Sequence, residues 1–412
     1  MRAGTALAAW TLLLGACGGG AAATSTTVPA EITTTTRSAT TTVAASSTEA
    51  TLGPPPETRA AVTVAFEGEP AAGAAVAGFY AWLGDRSRLL PDVPFGLVDH
   101  VWAVSFTEDV DLVGSLYAAE TEEGSVAVAR VDDDVVLLVD DGSGWRVVGA
   151  DLTRFDLGPW YGDPIRHVLV LGSDARPGES QRLYRADSIH VLSSNVDARA
   201  GAIMGFPRDT LVEASYGDDK FTHVNAVSET HSEEMVEIAR SLSGLPIEGY
   251  LITGFSGFTA LVNDFGGVQV RVPYPMVDWR AEANLVAGLQ RLWGAAALAF
   301  SRVRSIPGGD FTRSLHQGEV IAAALAAIHE RSVTDLPALV AILADHTWTD
   351  LTLEQLLTLG AQAFYIDPEK VGNVVLPGRS QLVKGASVVV LEEAGAEKIY
   401  RDLDDGKLDE AG

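Results

Sequence analysis

The sequence predicts an α/β fold preceded by a smaller α+β segment, and three observations carry that reading. First, apolar runs in the form of buried strands follow one another from Val168 to Phe206: VLVLG, SIHVLSS and GAIMGF. Second, from there to about residue 400 strand-like runs alternate with amphipathic helical stretches, the pattern of a sheet covered by helices. Third, residues 58–156 differ in texture. One helical stretch, AAGAAVAGFYAWLGD, precedes SVAVARV, DVVLLVDD and GWRVVGADL, which read as an antiparallel meander with a turn at Asp141-Gly142.

Composition sets outer limits. With 412 residues, 47% of them hydrophobic, the chain has material for more than one core. A formal charge of −26 argues against nonspecific binding to nucleic acid or anionic lipid. The single Cys excludes a disulfide framework and a cysteine zinc site, and the eight His residues show no HExxH spacing.

Residues 1–17 have the shape of an export signal: one Arg, an apolar run too short for a bilayer core of about 30 Å, then Leu14-Gly15-Ala16-Cys17. Small residues before the only Cys resemble the lipobox of bacterial lipoproteins, which makes Cys17 the expected lipidation site. The expected location is extracytoplasmic, on the cell membrane and facing the wall. Residues 18–57, rich in Thr, Ser and Pro, read as a disordered tether.

The main domain is expected over residues 165–400. THSEEMVEIARSLSG reads as a helix with a Thr230–Glu233 capping box, a stripe of Met235, Ile238, Ala239 and Leu242, and a stop at Gly244. YLITGF reads as a strand, SGFTALVNDF as a helix and GGVQVRVP as a strand. AGLQRLWGAAALAF reads as a helix with Leu289, Leu292, Trp293 and Ala296 inward, and Trp293 and Phe300 are expected in the core rather than as sugar platforms. Helices at 334–345 and 352–363 and the strands VGNVVLP and SVVVLEE follow, with residues 401–412 a frayed acidic tail.

Charges collect where the apolar strands end. Asp174, Arg176, Arg185, Asp187, Arg208 and Asp209 form one cluster; Arg302, Arg304, Asp310, Arg313 and Gln317 form another, with Arg313 and Gln317 four apart on one helix face. Guanidinium forks grip phosphate oxygens in pairs, and carboxylates supply hard oxygen ligands to Mg²⁺. The plain alternative is a set of loop salt bridges worth about 0–1 kcal/mol each. No G-x-x-x-x-G-K-[ST] loop supports a nucleotide enzyme, and GFSGF lacks the serine-hydrolase spacing.

Seven segments in order then carry a family resemblance: GSDAR from Gly172, RADS from Arg185, FPRDT from Phe206, HVNA from His223, FGGVQV from Phe265, GLQRLWGAAALAFSRVR from Gly288 and DFTRSLHQ from Asp310. Together they resemble the LytR-CpsA-Psr family of cell-wall glycopolymer ligases. The resemblance implies a three-layer α/β/α sandwich with a mixed central sheet, an apolar pocket for a polyprenyl chain and an Arg-lined mouth for its pyrophosphate. It implies Asp174 and Asp187 as ligands of Mg²⁺ (or Mn²⁺). It also implies Arg176, Arg185, Arg208, Arg302, Arg304 and Arg313 as phosphate-binding cations, with Gln317 as a neutral donor. The catalytic set so implied is Asp174, Asp187, Arg185, Arg208, Arg302 and Arg304. The implied reaction is transfer of a phosphoglycosyl polymer from polyprenyl diphosphate to a muramic-acid hydroxyl of peptidoglycan, with either aspartate open as the base. His223 departs from a usual Lys, His316 from Arg, Phe206 from Ile and Ala186 from Ser. Three rivals share these features: a noncatalytic glycolipid binder or regulator, an extracytoplasmic solute-binding lipoprotein, and a hydrolase that passes the diphosphate to water.

Overall fold

The computed structural model describes residues 56–68 and 70–408. The signal ending at Cys17 and the tether up to residue 55 lie outside the described residues.

The first described layer is a mixed five-stranded sheet in the order β1-β2-β3-β4-β5. Its strands are β1 (Val62–Phe66), β2 (Val110–Thr121), β3 (Gly124–Val131), β4 (Asp134–Asp140) and β5 (Arg146–Asp151). Only β1 and β2 run parallel. One face packs on α1 (Pro70–Gly84), with Phe79, Tyr80 and Leu83 fully buried, and on α2 (Phe95–His100). β3 and β4 are apolar on both faces, because their second face is covered as well.

The central sheet is six-stranded and mixed, in the order β16-β11-β6-β7-β8-β17. The three apolar runs become β6 (Ile165–Ser173), β7 (Ala186–Asn195) and β8 (Ala200–Gly205), joined antiparallel with Leu171 opposite Ile189. The hairpin of β9 (Leu211–Ala214) and β10 (Gly217–Lys220) leads into α3 (Phe221–Val224) and α4 (His231–Ser243). β11 (Ile247–Thr253) then adds parallel to β6. Next come α5 (Phe255–Asp264), β12 (Val268–Val272), β13 (Met276–Asp278), β14 (Ala283–Leu285), β15 (Gly288–Leu292) and α6 (Gly294–Arg302). The chain closes with α7 (Asp310–His329), α8 (Leu336–His346), β16 (Trp348–Thr349), α9 (Leu353–Ala363), β17 (Val371–Val375), β18 (Gly378–Val383), β19 (Ala386–Leu391) and α10 (Glu393–Leu403).

The result is a three-layer α/β/α sandwich. On one face of the sheet, α3, α4 and α10 close a core of Leu169, Val191, Met204, Phe206, Met235 and Tyr400. On the other lie α5, α7, α8 and α9. A buried arginine ties neighbouring strands of the sheet to the helix above them: Arg166 on β6 donates to both carboxylate oxygens of Glu248 on β11 at 2.6 Å, and to Thr358 on α9 at 2.8 Å. Among the described residues, no helix is long and apolar enough to cross a membrane.

Four local expectations are corrected. AGLQRLWGAAALAF is not one helix. Gly288, at φ 118°, opens β15, which pairs with β12, and α6 starts only at Gly294, where a Cβ would meet the Thr259 carbonyl oxygen at 2.1 Å. The period is two through LQRL, so Leu289 and Trp293 point outward, 60% and 53% exposed, while Phe300 is buried as expected. Thr230 takes helical φ, ψ of −91° and −6° and makes no cap bond, so the capping box forms instead at Thr352–Gln355. The stripe of α4 keeps Met235, Ile238 and Ala239 inside but leaves Leu242 36% exposed; Gly244 closes the helix at φ 73°. Residues 401–408 do not fray, because Leu403 is fully buried and Leu408 packs on the main core.

Phe206 stacks edge-on to Phe221, ring centroids 5.4 Å apart, and is 1% exposed. Phe206→Ala is expected to cost about 3–5 kcal/mol of unfolding free energy, measured by denaturant titration with the slope unchanged.

Candidate active site

The loops at one end of β6, β7 and β8 meet the α6–α7 connection around Asp187. Its Oδ1 accepts from Arg208 Nη1 at 2.6 Å, and its Oδ2 lies 3.3 Å from Arg304 Nη2 and 3.6 Å from Arg313 Nη1. Burial alone raises the Asp187 pKa, but Arg208, Arg313 and Arg304 outweigh it and hold the carboxyl below its usual range. Asp310 is a second anion of the cluster, 3.4 Å from Arg208, 3.5 Å from Arg313 and 3.7 Å from Arg304. Burial pushes the Arg208 guanidinium down, yet Asp187 and Asp310 hold it above its ordinary value. Burial also lowers Arg313, 3% exposed, to about 10, so it stays charged at neutral pH. The Nε donors of Arg208 and Arg313 are buried and make no hydrogen bond within the protein.

Around this cluster opens a cleft of about 560 Å³. Six arginines (176, 185, 280, 302, 304 and 313) and three aspartates (174, 187 and 278) line it, so a chain with a net charge of −26 carries a positive cleft. Asp174 is clamped by Arg185 through Nε at 2.9 Å and through the Arg185 backbone N–H at 3.0 Å. Arg176, Arg280 and Arg302 form no ion pair among the described residues; Arg302 instead lies over the Phe255 ring, 4.5 Å from its centroid. Arg176 and Arg304 thus face one cavity, although 128 residues separate them in sequence.

Two expected site residues sit off the cleft wall. Arg208 reaches it only through Asp187. Gln317 lies a layer deeper, where its Nε2 donates to the Asp187 and Ser301 carbonyls, so it holds up the Asp187 strand and is not a free headgroup donor. His316 stacks on Phe300 at 4.5 Å, and burial lowers it to about 4, which keeps it neutral. His223 pairs with Asp219 at 2.9 Å, and Lys220 with Asp209 at 3.3 Å. The sequence reading missed Phe255, Asp278, Trp279 and Arg280. The signal was present in Asp278-Trp279-Arg280, an aromatic between opposite charges in a loop that no core requires.

Among the described residues no three His, Cys, Asp or Glu side chains converge to hold a metal. Two carboxylates on one cleft wall fit Mg²⁺ only when substrate phosphates and water complete its six positions.

Beneath the cleft a row of three apolar cavities, the tunnel, lies between the central sheet and α5, α7, α8 and α9, each cavity sharing lining residues with the next. The first cavity, about 100 Å³, shares Asp187, Phe255, Arg302 and Arg313 with the cleft. The second, about 230 Å³, shares Val170, Phe258, Val320 and Ile321 with the first. The third, about 170 Å³, shares Leu251, Phe265, Leu325 and Leu343 with the second.

The LytR_cpsA_psr family profile matches residues 161–405. The chain belongs to the LytR_cpsA_psr family. Among curated relatives, the Bacillus subtilis polyisoprenyl-teichoic acid–peptidoglycan teichoic acid transferase TagT is 26% identical over 248 residues, covering 57% of this chain and 75% of that protein. The Corynebacterium glutamicum probable cell wall biosynthesis protein LcpB is 32% identical over 173 residues, covering 38% of this chain and 40% of that protein. The crystal structure of Bacillus subtilis TagV has the same fold, with a TM-score of 0.52 at 21% identity over 61% of this chain and 100% of that one. The LytR_cpsA_psr match begins at Tyr161, so the first sheet, which ends at Asp151, lies wholly outside it.

A carboxylate with a depressed folded pKa stabilises the fold above its unfolded value, about 4, and that contribution fades as pH falls through the folded value. Asp187→Asn is therefore expected to lose about 3 kcal/mol at neutral pH. The gap to wild type should close below about pH 4, as read from paired unfolding curves.

Proposed function

We propose that this chain transfers a glycopolymer from a polyprenyl diphosphate carrier to a peptidoglycan hydroxyl, leaving a phosphodiester. The observation that carries this reading is the junction of the arginine cleft with the apolar tunnel through shared residues. A diphosphate joined to a long hydrocarbon tail uses both compartments. A soluble anion leaves the tunnel without a role, and a neutral lipid leaves the arginines without one. Family membership and relatives named as teichoic acid transferases support the same reading.

The acceptor hydroxyl oxygen attacks the phosphorus that carries the glycan. The bond from that phosphorus to the bridging oxygen breaks, and polyprenyl phosphate departs with the electron pair. The enzyme's work is to position the reactants and to offset spreading negative charge. Among the described residues Arg176, Arg280 and Arg302 form no ion pair, so they can turn to phosphate oxygens without giving one up, while Arg185 and Arg304, half exposed, exchange part of their pairing with Asp174 and Asp187. Asp187, held ionised by three guanidiniums, is a poor base. Asp174 is likewise paired, clamped by Arg185, so either aspartate stays open as the acceptor of the hydroxyl proton. We assign Asp174 and Asp187 as joint ligands of Mg²⁺ with the diphosphate; when bound, the cation neutralises charge on the leaving group. Lipidation at Cys17 would hold the domain at the membrane where its lipid substrate resides.

Arg304→Ala is expected to keep the fold and to lose ligation by at least about 10²-fold. The assay mixes polyprenyl diphosphate-linked sugar, Mg²⁺ and a peptidoglycan fragment, then follows the phosphodiester by mass. Lipid bound without product identifies a binding protein, and released sugar phosphate identifies a hydrolase. Calorimetry should show Mg²⁺ binding tightly only when a diphosphate is present, because the protein alone supplies two carboxylates.

A further inference from the structure

The first sheet has no assigned role, yet its second face packs directly behind the wall of the tunnel. α8 and α9 form the outer wall of the innermost cavity, and they are apolar on two sides. Leu336, Val340 and Leu356 line that cavity and also belong to a core with Val126, Val128 and Leu137 of β3 and β4. Those three sheet residues are 0% exposed, and Val128 stands opposite Leu137 in the β3–β4 register. Polar ties close the rim of the contact: Arg146 on β5 pairs with Glu354 on α9, and the Tyr365 hydroxyl donates to Asp151. A close-packed interior passes a displacement on rather than absorbing it. The distance of α8 and α9 from the central sheet is therefore set from behind, by residues outside the stretch that the family profile matches.

We propose that the sheet formed by β1 to β5 is the backstop of the tunnel and sets how long a polyprenyl chain it accepts. This rests on the reading of the tunnel as the lipid site. The residues assigned here are Val128 and Leu137, which act on the lipid through Leu336, Val340 and Leu356. They are positioning residues, and they touch neither the headgroup nor the reacting phosphorus.

The measurement is the ratio of kcat/KM for an undecaprenyl against a geranyl diphosphate-linked sugar, taken on the full described chain with Mg²⁺. Val128→Phe pushes the wall inward and is expected to lower that ratio by on the order of tenfold, with short-chain turnover kept. Leu137→Ala opens space behind the wall and is expected to move the ratio the other way; it decides the matter alone if Val128→Phe does not fold. A purely structural role lowers both substrates together, so an unchanged ratio in folded variants overturns the proposal. Leu325→Trp separates this from the underlying reading, since it blocks the tunnel from α7, away from the first sheet. If Leu325→Trp collapses the ratio while the sheet variants leave it unchanged, only the backstop falls. If Leu325→Trp leaves the ratio at the wild-type value, the tunnel is not the lipid site and both readings fall.

Discussion

Everything at the cleft depends on how Asp187 holds like charges together. Arg208, Arg304 and Arg313 converge from the β8–β9 loop, the α6–α7 connection and α7, and without an anion among them they would repel one another. Asp187 and Asp310 supply that anion at a fixed point, so three guanidiniums are oriented before any ligand arrives. Preorganised charge of this kind is most effective where new charge develops and no rearrangement is required. The buried Nε groups of Arg208 and Arg313 turn toward Asp310, at 3.4 and 3.5 Å, so the second carboxylate fixes the same guanidiniums from behind.

The cleft and the tunnel solve opposite solvation problems side by side. Burying a diphosphate needs cations, and burying a polyprenyl chain needs their absence. Phe255 and Arg302 stand on the boundary, the ring shielding one face of the guanidinium from the apolar side. Gln317 belongs to this boundary too, committing its amide to the carbonyls of Asp187 and Ser301 so that the strand stays fixed above the first apolar cavity.

Much of this was legible in the sequence, for definite reasons. β6 to β8 are read from unbroken apolar runs, and the charged groups at their ends follow from the need to keep charge out of a covered sheet. What failed to be legible depended on context. LQRLW fits a helix stripe as well as an alternating strand, and only the glycines at 288 and 294, where backbone or φ forbids a continuous helix, decide between them. Thr230 and Glu233 have the capping-box spacing, but the turn before α4 puts Thr230 in helical geometry and removes the cap. Arg280 and Trp279 reach the cleft through the β13–β14 hairpin, a tertiary placement that no local period encodes. SVAVARV and DVVLLVDD read as a meander, but the cover on the second face of β3 and β4 comes from α8 and α9, about 200 residues later in the chain.

The helix α7 has a consequence for how such a protein can diversify. Its first turns carry Asp310 and Arg313 to the cleft, and its later turns carry Val320, Ile321, Leu325 and Ile328 along the tunnel, all on one rod of about 30 Å. On the proposed function, headgroup and tail would be read by a single ruler. Inserting one residue midway would swing every later side chain by about 100° relative to the earlier ones, so drift in polymer choice must be carried by the flanking loops while this rod keeps its length.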